Sequence, residues 1–392
     1  MGSLTYDFLS NSILFNDDEI ENGFSSLKDV QLENILQDYR IHCLKNIAEL
    51  SKEIIDNKSS LKVLSSIEKV KYETLKQSAL YFDQFVIYDP LFKFSHQKNA
   101  ATDVVSQYLR FEQNKGIDRV ELSNTVRLLK SITPMIAADY VKILPLSYAF
   151  EPPKELPINL PVNYYADALP KELMEYCHSQ VIVKSMKQDK KGWLIQDNAD
   201  YTPGIFITFK DIESNRGNIY NYFLQEYIKT GKPNVFKVKM TLADYPMNKD
   251  VWDAWVFQSK NSAAKAVVDK IYYENLVAND LKATYLTDNS FTANLLTHNL
   301  NAKETIEIAS ATQFLNIKLP FLDNVNIDKL MTIRTYEAEI FTNFRIELER
   351  QFRELRTIKD PKEIMIRQEN IIHELVSIRK RFNFKKRSWY LE

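Results

Sequence analysis

The sequence predicts an α+β fold that is predominantly α-helical, and three observations predict it. Apolar residues recur at helical spacing through most of 27–140 and again beyond 326, so those stretches present one greasy stripe each to a core. A middle stretch switches to the two-residue alternation of half-buried strands, as in Phe236-Lys237-Val238-Lys239-Met240. Glycine supplies only seven of 392 residues, about a quarter of its usual ~7%, which disfavours folds built on glycine-rich turns and loops.

Taken in chain order, Leu32, Ile35, Leu36, Tyr39, Leu44, Ile47 and Ile54 form one stripe from about 27 to 55. Leu61, Leu64, Ile67 and Leu75 continue the pattern over 60–79 after the polar Asp56-Asn57-Lys58, so a helical hairpin is expected. Phe85-Val86-Ile87-Tyr88, ended by Asp89-Pro90, predicts a short buried strand. Helices are expected near 100–112 and 119–131, and a third from Pro134 with Thr133 as its cap. These elements make 1–150 a helical N-terminal domain.

Four of the thirteen prolines fall in 151–162, where fixed φ angles and missing N–H groups forbid a helix or a central strand, so this segment reads as a linker. A mixed α+β domain follows over 163–325. It should hold a helix near 164–178, a hairpin of Val181–Met186 with Trp193–Ile195 across the polar turn 187–192, and strands at Ile205–Phe209 and Val235–Met240. A helix is predicted over 250–277 from Trp252, Trp255, Val256, Ala263, Val267 and Ile271, then an extended piece at 283–286 and helices near 290–299 and 303–315. The remainder, 326–392, reads as an antiparallel helical hairpin with a basic, aromatic tail. Asn326 caps its first helix, and Asp360-Pro361-Lys362-Glu363 opens its second with a carboxylate cap, a first-turn proline and an N3 glutamate.

Composition narrows the function classes. Lysine plus arginine number 51 against 52 acidic residues, so no net field draws the chain to nucleic acid or anionic lipid, and any such affinity must be local. No apolar run approaches the ~20 residues that cross a bilayer, and the first residues lack a basic segment leading into an apolar one. Two cysteines, Cys43 and Cys177, do not build a disulfide framework. A soluble, cytoplasmic protein is the expectation. The richness in Lys, Asn and Ile fits an AT-rich bacterial genome, and a chain of this kind suits a component of a multi-protein system.

Catalytic signatures are sparse. No two glycines stand close enough to cradle a phosphate; Thr230-Gly231-Lys232-Pro233 lacks the first glycine of a P-loop and has proline where the Mg²⁺-binding hydroxyl belongs. The nucleophile elbow and the zinc-protease helix motif are missing as well. His42-Cys43 and Cys177-His178 would make a Cys₂His₂ set, but adjacent helical residues point about 100° apart and the spacing is wrong for zinc. Asp253 with Gln258 and Lys260 echoes some restriction-type nucleases, whose chemistry needs a strand where the period here is helical. No organic cofactor is predicted.

Two readings follow. The preferred one is a non-enzymatic helical interaction or regulatory protein that works through a protein partner. Its interface would be the tail, where Arg379, Lys380, Arg381, Lys385, Lys386 and Arg387 interleave with Phe384 and Trp389; the same mixture would also suit nucleic acid. The alternative is a metal-dependent nuclease or other phosphodiester hydrolase. Asp89 and Asp288 each end an apolar extended run, the position from which strand-end carboxylates hold Mg²⁺ or Mn²⁺. Tyr285–Asn289 followed by Ser290-Phe291 resembles a strand-end segment of PIN-type nucleases, and the resemblance covers those few residues.

Overall fold

Leu32, Leu36, Tyr39 and Cys43 lie three or four residues apart, and all four are fully buried, so helix α3 (Asp29–Lys45) presents one apolar stripe to the core. A computed structural model describes residues 3–57, 62–65, 71–79, 82–95, 117–146, 165–189, 192–197, 200–210, 217–243, 248–287 and 326–336, with isolated positions between 289 and 370. Before α3 come α1 (Leu4–Ser10) and α2 (Asp17–Glu21), and after it α4 (Ile47–Ile55). The stripe expected over 27–55 is therefore two helices, broken at Asn46.

Residues 60–79 differ from the expected single helix. Lys62–Ser65 is a strand, β1, and only Tyr72–Ser78 is helical, α5. The apolar residues of β1 are buried on both faces of a sheet, so they do not alternate, and a short unbroken run reads equally well as part of a helix. β2 (Gln84–Tyr88) falls where a strand was expected. Helices α6 (Arg119–Ser131) and α7 (Thr133–Ala137) follow, then β3 (Val141–Leu144). Asp118 Oδ1 caps α6 by accepting the Glu121 N–H at 2.9 Å. Thr133 is the first residue of α7 rather than its cap, with Pro134 beside it in the first turn.

The middle of the chain folds as a helix and two small antiparallel sheets. α8 (Lys171–Gln180) runs into β4 (Val181–Asp189), which pairs with β5 (Gly192–Gln196) as the expected hairpin and with β6 (Gly204–Phe209) on its other side. β7 (Asn218–Asn221) completes a sheet of order β5-β4-β6-β7. Among the described strands, β8 (Phe223–Lys229) and β9 (Phe236–Leu242) pair only with each other. The 32-residue α9 (Lys249–Asp280) covers the expected 250–277 and is capped by Asn248 Oδ1 on the Asp250 N–H at 2.9 Å.

β10 (Thr284–Leu286) then returns to pair in parallel with β1, giving a four-stranded parallel sheet of order β10-β1-β2-β3. Three of its strands come from before residue 150 and the fourth from far beyond it. Both faces are covered, as an all-parallel sheet requires. On one face Val63, Phe85, Ile87, Val141, Ile143 and Leu286 pack against α3, α6 and α7, joined by Ile327, Leu330 and Met331 of α10 (Ile327–Tyr336). On the other, Leu64, Val86, Tyr88, Leu144 and Tyr285 meet α4 and α9.

The fold is thus α+β as expected, with a parallel sheet inside the region read as helical. The helices expected at 100–112 and 303–315, the proline segment 151–162 and, apart from isolated positions, the C-terminal hairpin beyond residue 336 lie outside the described residues. Among those that are described, no helix is long and apolar enough to cross a membrane.

Candidate functional site

A doubly wound sheet holds its ligands outside the carboxyl ends of its strands, where the strand order reverses. Here the reversal lies beside β1, between β2 on one side and β10 on the other. Ser65 ends β1 and Thr287 follows β10, both buried. Asp89 follows β2, the strand beside β1. Asp288 itself lies outside the described residues.

The Asp89 carboxylate is 4% exposed and filled by its own fold. Its Oδ2 accepts the Tyr39 hydroxyl at 2.6 Å and faces the Cys43 thiol at 3.8 Å, while Oδ1 accepts the N–H groups of Leu91 at 2.9 Å and Phe92 at 3.2 Å. It caps the turn of 3₁₀ helix Phe92–Ser95 and ties that turn to α3. Burial raises its pKa, and these four donors oppose the rise. Burial and the Asp89 charge together push the Tyr39 and Cys43 pKa values up, which keeps both as donors. Both oxygens of Asp89 are thus engaged by donors of the surrounding fold.

A second buried carboxylate lies on the opposite face. Glu274 of α9 is 2% exposed, and it accepts the Tyr88 hydroxyl of β2 and, at 2.6 Å, the Tyr285 hydroxyl of β10, with Lys270 Nζ 4.0 Å away. The carboxylate therefore spans β1 and binds α9 to the strands on either side. Sequence reading missed Glu274; its signal was a lone acidic residue in the helical stripe that also holds Trp252, Val256, Ala263, Ile271 and Ala278.

The remaining sequence candidates separate. Cys43 packs on the α3 face of the parallel sheet and Cys177 on the α9 face. His42 Nε2 donates to the Leu4 carbonyl at 3.1 Å, and His178 Nε2 donates to Asn261 Oδ1 at 2.7 Å. The two Cys/His pairs thus lie on opposite sides of the sheet. No group of three metal-ligating side chains occurs among the described residues. Asp253 is helical and pairs with Lys249 at 2.6 Å. The tail residues Arg379–Trp389 lie outside the described residues.

The β8–β9 hairpin projects an outward surface. β8 and β9 form a two-stranded ribbon in which every residue from Leu224 to Lys237 is exposed. Its root is fixed: the Tyr222 N–H donates to the Pro203 carbonyl at 2.7 Å, the Ala243 N–H to the Tyr222 carbonyl at 3.1 Å, and the Tyr222 ring meets Trp255 of α9 edge-on at 5.7 Å. Its tip is closed by the Thr230 N–H on the Val235 carbonyl at 3.2 Å, with Asn234 taking the left-handed conformation at φ 58°.

The register sorts the ribbon's side chains. Phe223, Tyr227, Phe236, Val238, Met240 and Leu242 share one face with Gln225 and Lys229. The other bears Leu224, Glu226, Ile228, Lys237, Lys239 and Thr241. Tyr227 is 51% exposed and Phe236 52%. Sequence reading found β9 but not β8, although the alternation of Phe223–Lys229 and the turn Thr230–Val235 together spell a hairpin. The Gly-Lys-Pro of that turn drew attention only as a broken P-loop.

The chain matches no protein-family model, no curated protein and no solved structure.

Proposed function

We propose that this protein works by contact with a partner and that the β8–β9 ribbon is its contact arm. The observation that carries the reading is the half-exposure of Tyr227 and Phe236 on an apolar ribbon face with no second layer of described residues over it. Elsewhere the parallel sheet is covered on both sides, and Ile205, Ile207 and Phe209 of β6 pack against the α9 core, while β5 of the same sheet as β6 leaves Leu194 and Ile195 exposed. A two-stranded ribbon has little stability of its own, and one whose apolar side faces water is suited to gaining its second layer from another molecule.

Photo-crosslinking in cells tests this. A photoreactive amino acid at Phe236 should yield a discrete adduct, whereas the same residue at Val120, which is 72% exposed on α6, should yield none. Equal labelling at both positions, or none at Phe236 in folded protein, overturns the reading.

A further inference from the structure

The ribbon's chemistry identifies the class of partner. Between Phe223 and Leu242 it carries Lys229, Lys232, Lys237 and Lys239 against the single carboxylate Glu226, a net charge of +3 within a chain whose net charge is −1. Among the described residues only Lys239 has an ion-pair partner, Glu226 at 3.7 Å, and both side chains are more than half exposed, so that pair is worth little. Lys229, Lys232 and Lys237 have no ion-pair partner among the described residues.

The exposed rings stand among these cations. Tyr227 pairs with Val238 and Lys229 with Phe236, so the two aromatics are diagonal neighbours on one face with Lys229 directly opposite Phe236. Lys232 sits in the tip beyond them. Lys237 and Lys239 lie on the other face of β9, whose outer edge has no ladder partner among the described strands. Their four-carbon stems are long enough to place ammonium groups at that edge.

A second copy of this chain is a poor occupant. The face measures roughly 24 Å by 10 Å, so two ribbons laid together would bury on the order of 500 Å², well below the ~1,200 Å² of a stable interface. They would also bring two +3 segments into contact. Charge complementarity requires an anion, and the open π-faces require flat groups to stack on.

We infer that the ribbon binds single-stranded nucleic acid, with unpaired bases stacked on Tyr227 and Phe236 and the phosphates held by Lys229 and Lys232, then by Lys237 and Lys239 where the strand rounds the edge of β9. A duplex keeps its base faces stacked within itself, so it would use the lysines and leave the rings idle. This inference rests on the ribbon being the contact arm.

Fluorescence anisotropy with the full chain tests it, using a labelled 15-nucleotide oligo(dT), the same sequence as a duplex, and anionic phosphatidylserine vesicles in parallel. The single strand should bind best. Tyr227→Ala and Phe236→Ala should each weaken it roughly tenfold or more. Lys229→Glu with Lys232→Glu should make the salt dependence shallower by about 0.7 in log–log slope for each phosphate no longer neutralised. All four positions are exposed, so the variants should keep the wild-type circular dichroism.

Absence of oligonucleotide binding at low salt, a preference for duplex or vesicles, or binding unchanged by the ring variants would each overturn the inference. If no oligonucleotide binds while the Phe236 crosslink still captures a protein, the nucleic-acid assignment falls and the contact arm stands. If both fail, the arm falls too.

Discussion

A single carboxylate shows how burial decides a residue's role. Asp89 looked like a strand-end metal ligand because its neighbours in sequence, an apolar run and a proline, fit both a metal site and a turn. Its side-chain partners, Tyr39 and Cys43, are about 50 residues away, and only folding reveals them. Asn in its place still accepts at one atom but offers an amide nitrogen to a second group of donors. Asp89→Asn should therefore cost about 2 kcal/mol of stability at neutral pH. Burial raises the native carboxyl above its unfolded value of ~3.9, so the native state binds the proton more tightly. Its contribution is fully present below the unfolded value and is lost as pH rises through the native one. Urea unfolding at several pH values should show the gap between wild type and variant widest at the acidic end and narrowing as pH rises. A gap that widens with pH would refute this account.

Elements were legible where one face is wet. α6 and α9 were readable because their buried positions recur at the helical period, and the β4–β5 hairpin because a polar turn joins two apolar runs. β1 and β3 were not, since a strand of four residues buried on both faces has no period to read. α10 shows how a short element is secured at a distance. Its Arg334 donates to the carbonyls of Ala79 at 2.6 Å, Phe82 at 2.8 Å and Asp83, and its guanidinium stacks 4.5 Å from the Tyr140 ring. The fork satisfies the end of α5 and the entry to β2 together. Arg334→Ala should lower stability by about 2–3 kcal/mol, seen as a lower urea midpoint at unchanged slope. Arg334→Lys should recover only part of it, because an ammonium does not reproduce the planar fork. Full recovery by lysine would mean that charge alone matters there.

At the scale of the whole molecule, the α+β class was legible and the parallel sheet was not. Strand pairing between residues 62–65 and 284–286 leaves no local trace in the sequence, and the helices between them masked it. The same pairing bears on autonomy. A fragment of residues 1–150 lacks β10, α9 and α10, so Leu64, Val86 and Tyr88 keep only the α4 part of their cover and Leu286, Ile327, Leu330 and Met331 leave the opposite face. Such a fragment should unfold without a cooperative transition and bind a hydrophobic dye, as followed by near-ultraviolet circular dichroism and dye fluorescence. A sharp transition with native-like near-ultraviolet signal would show instead that the first 150 residues stand alone.

The return of β10 also sets a timetable. During synthesis β1 leaves the ribosome more than 200 residues ahead of its second neighbour, a delay of roughly 10–40 s at ordinary elongation rates. Throughout that interval one edge of the central strand carries unpaired N–H and C=O groups, a ready template for another nascent chain. Slower translation or early termination upstream of Thr284 would prolong that exposure, so the yield of intact protein in a cell is tied to how quickly one three-residue strand is delivered.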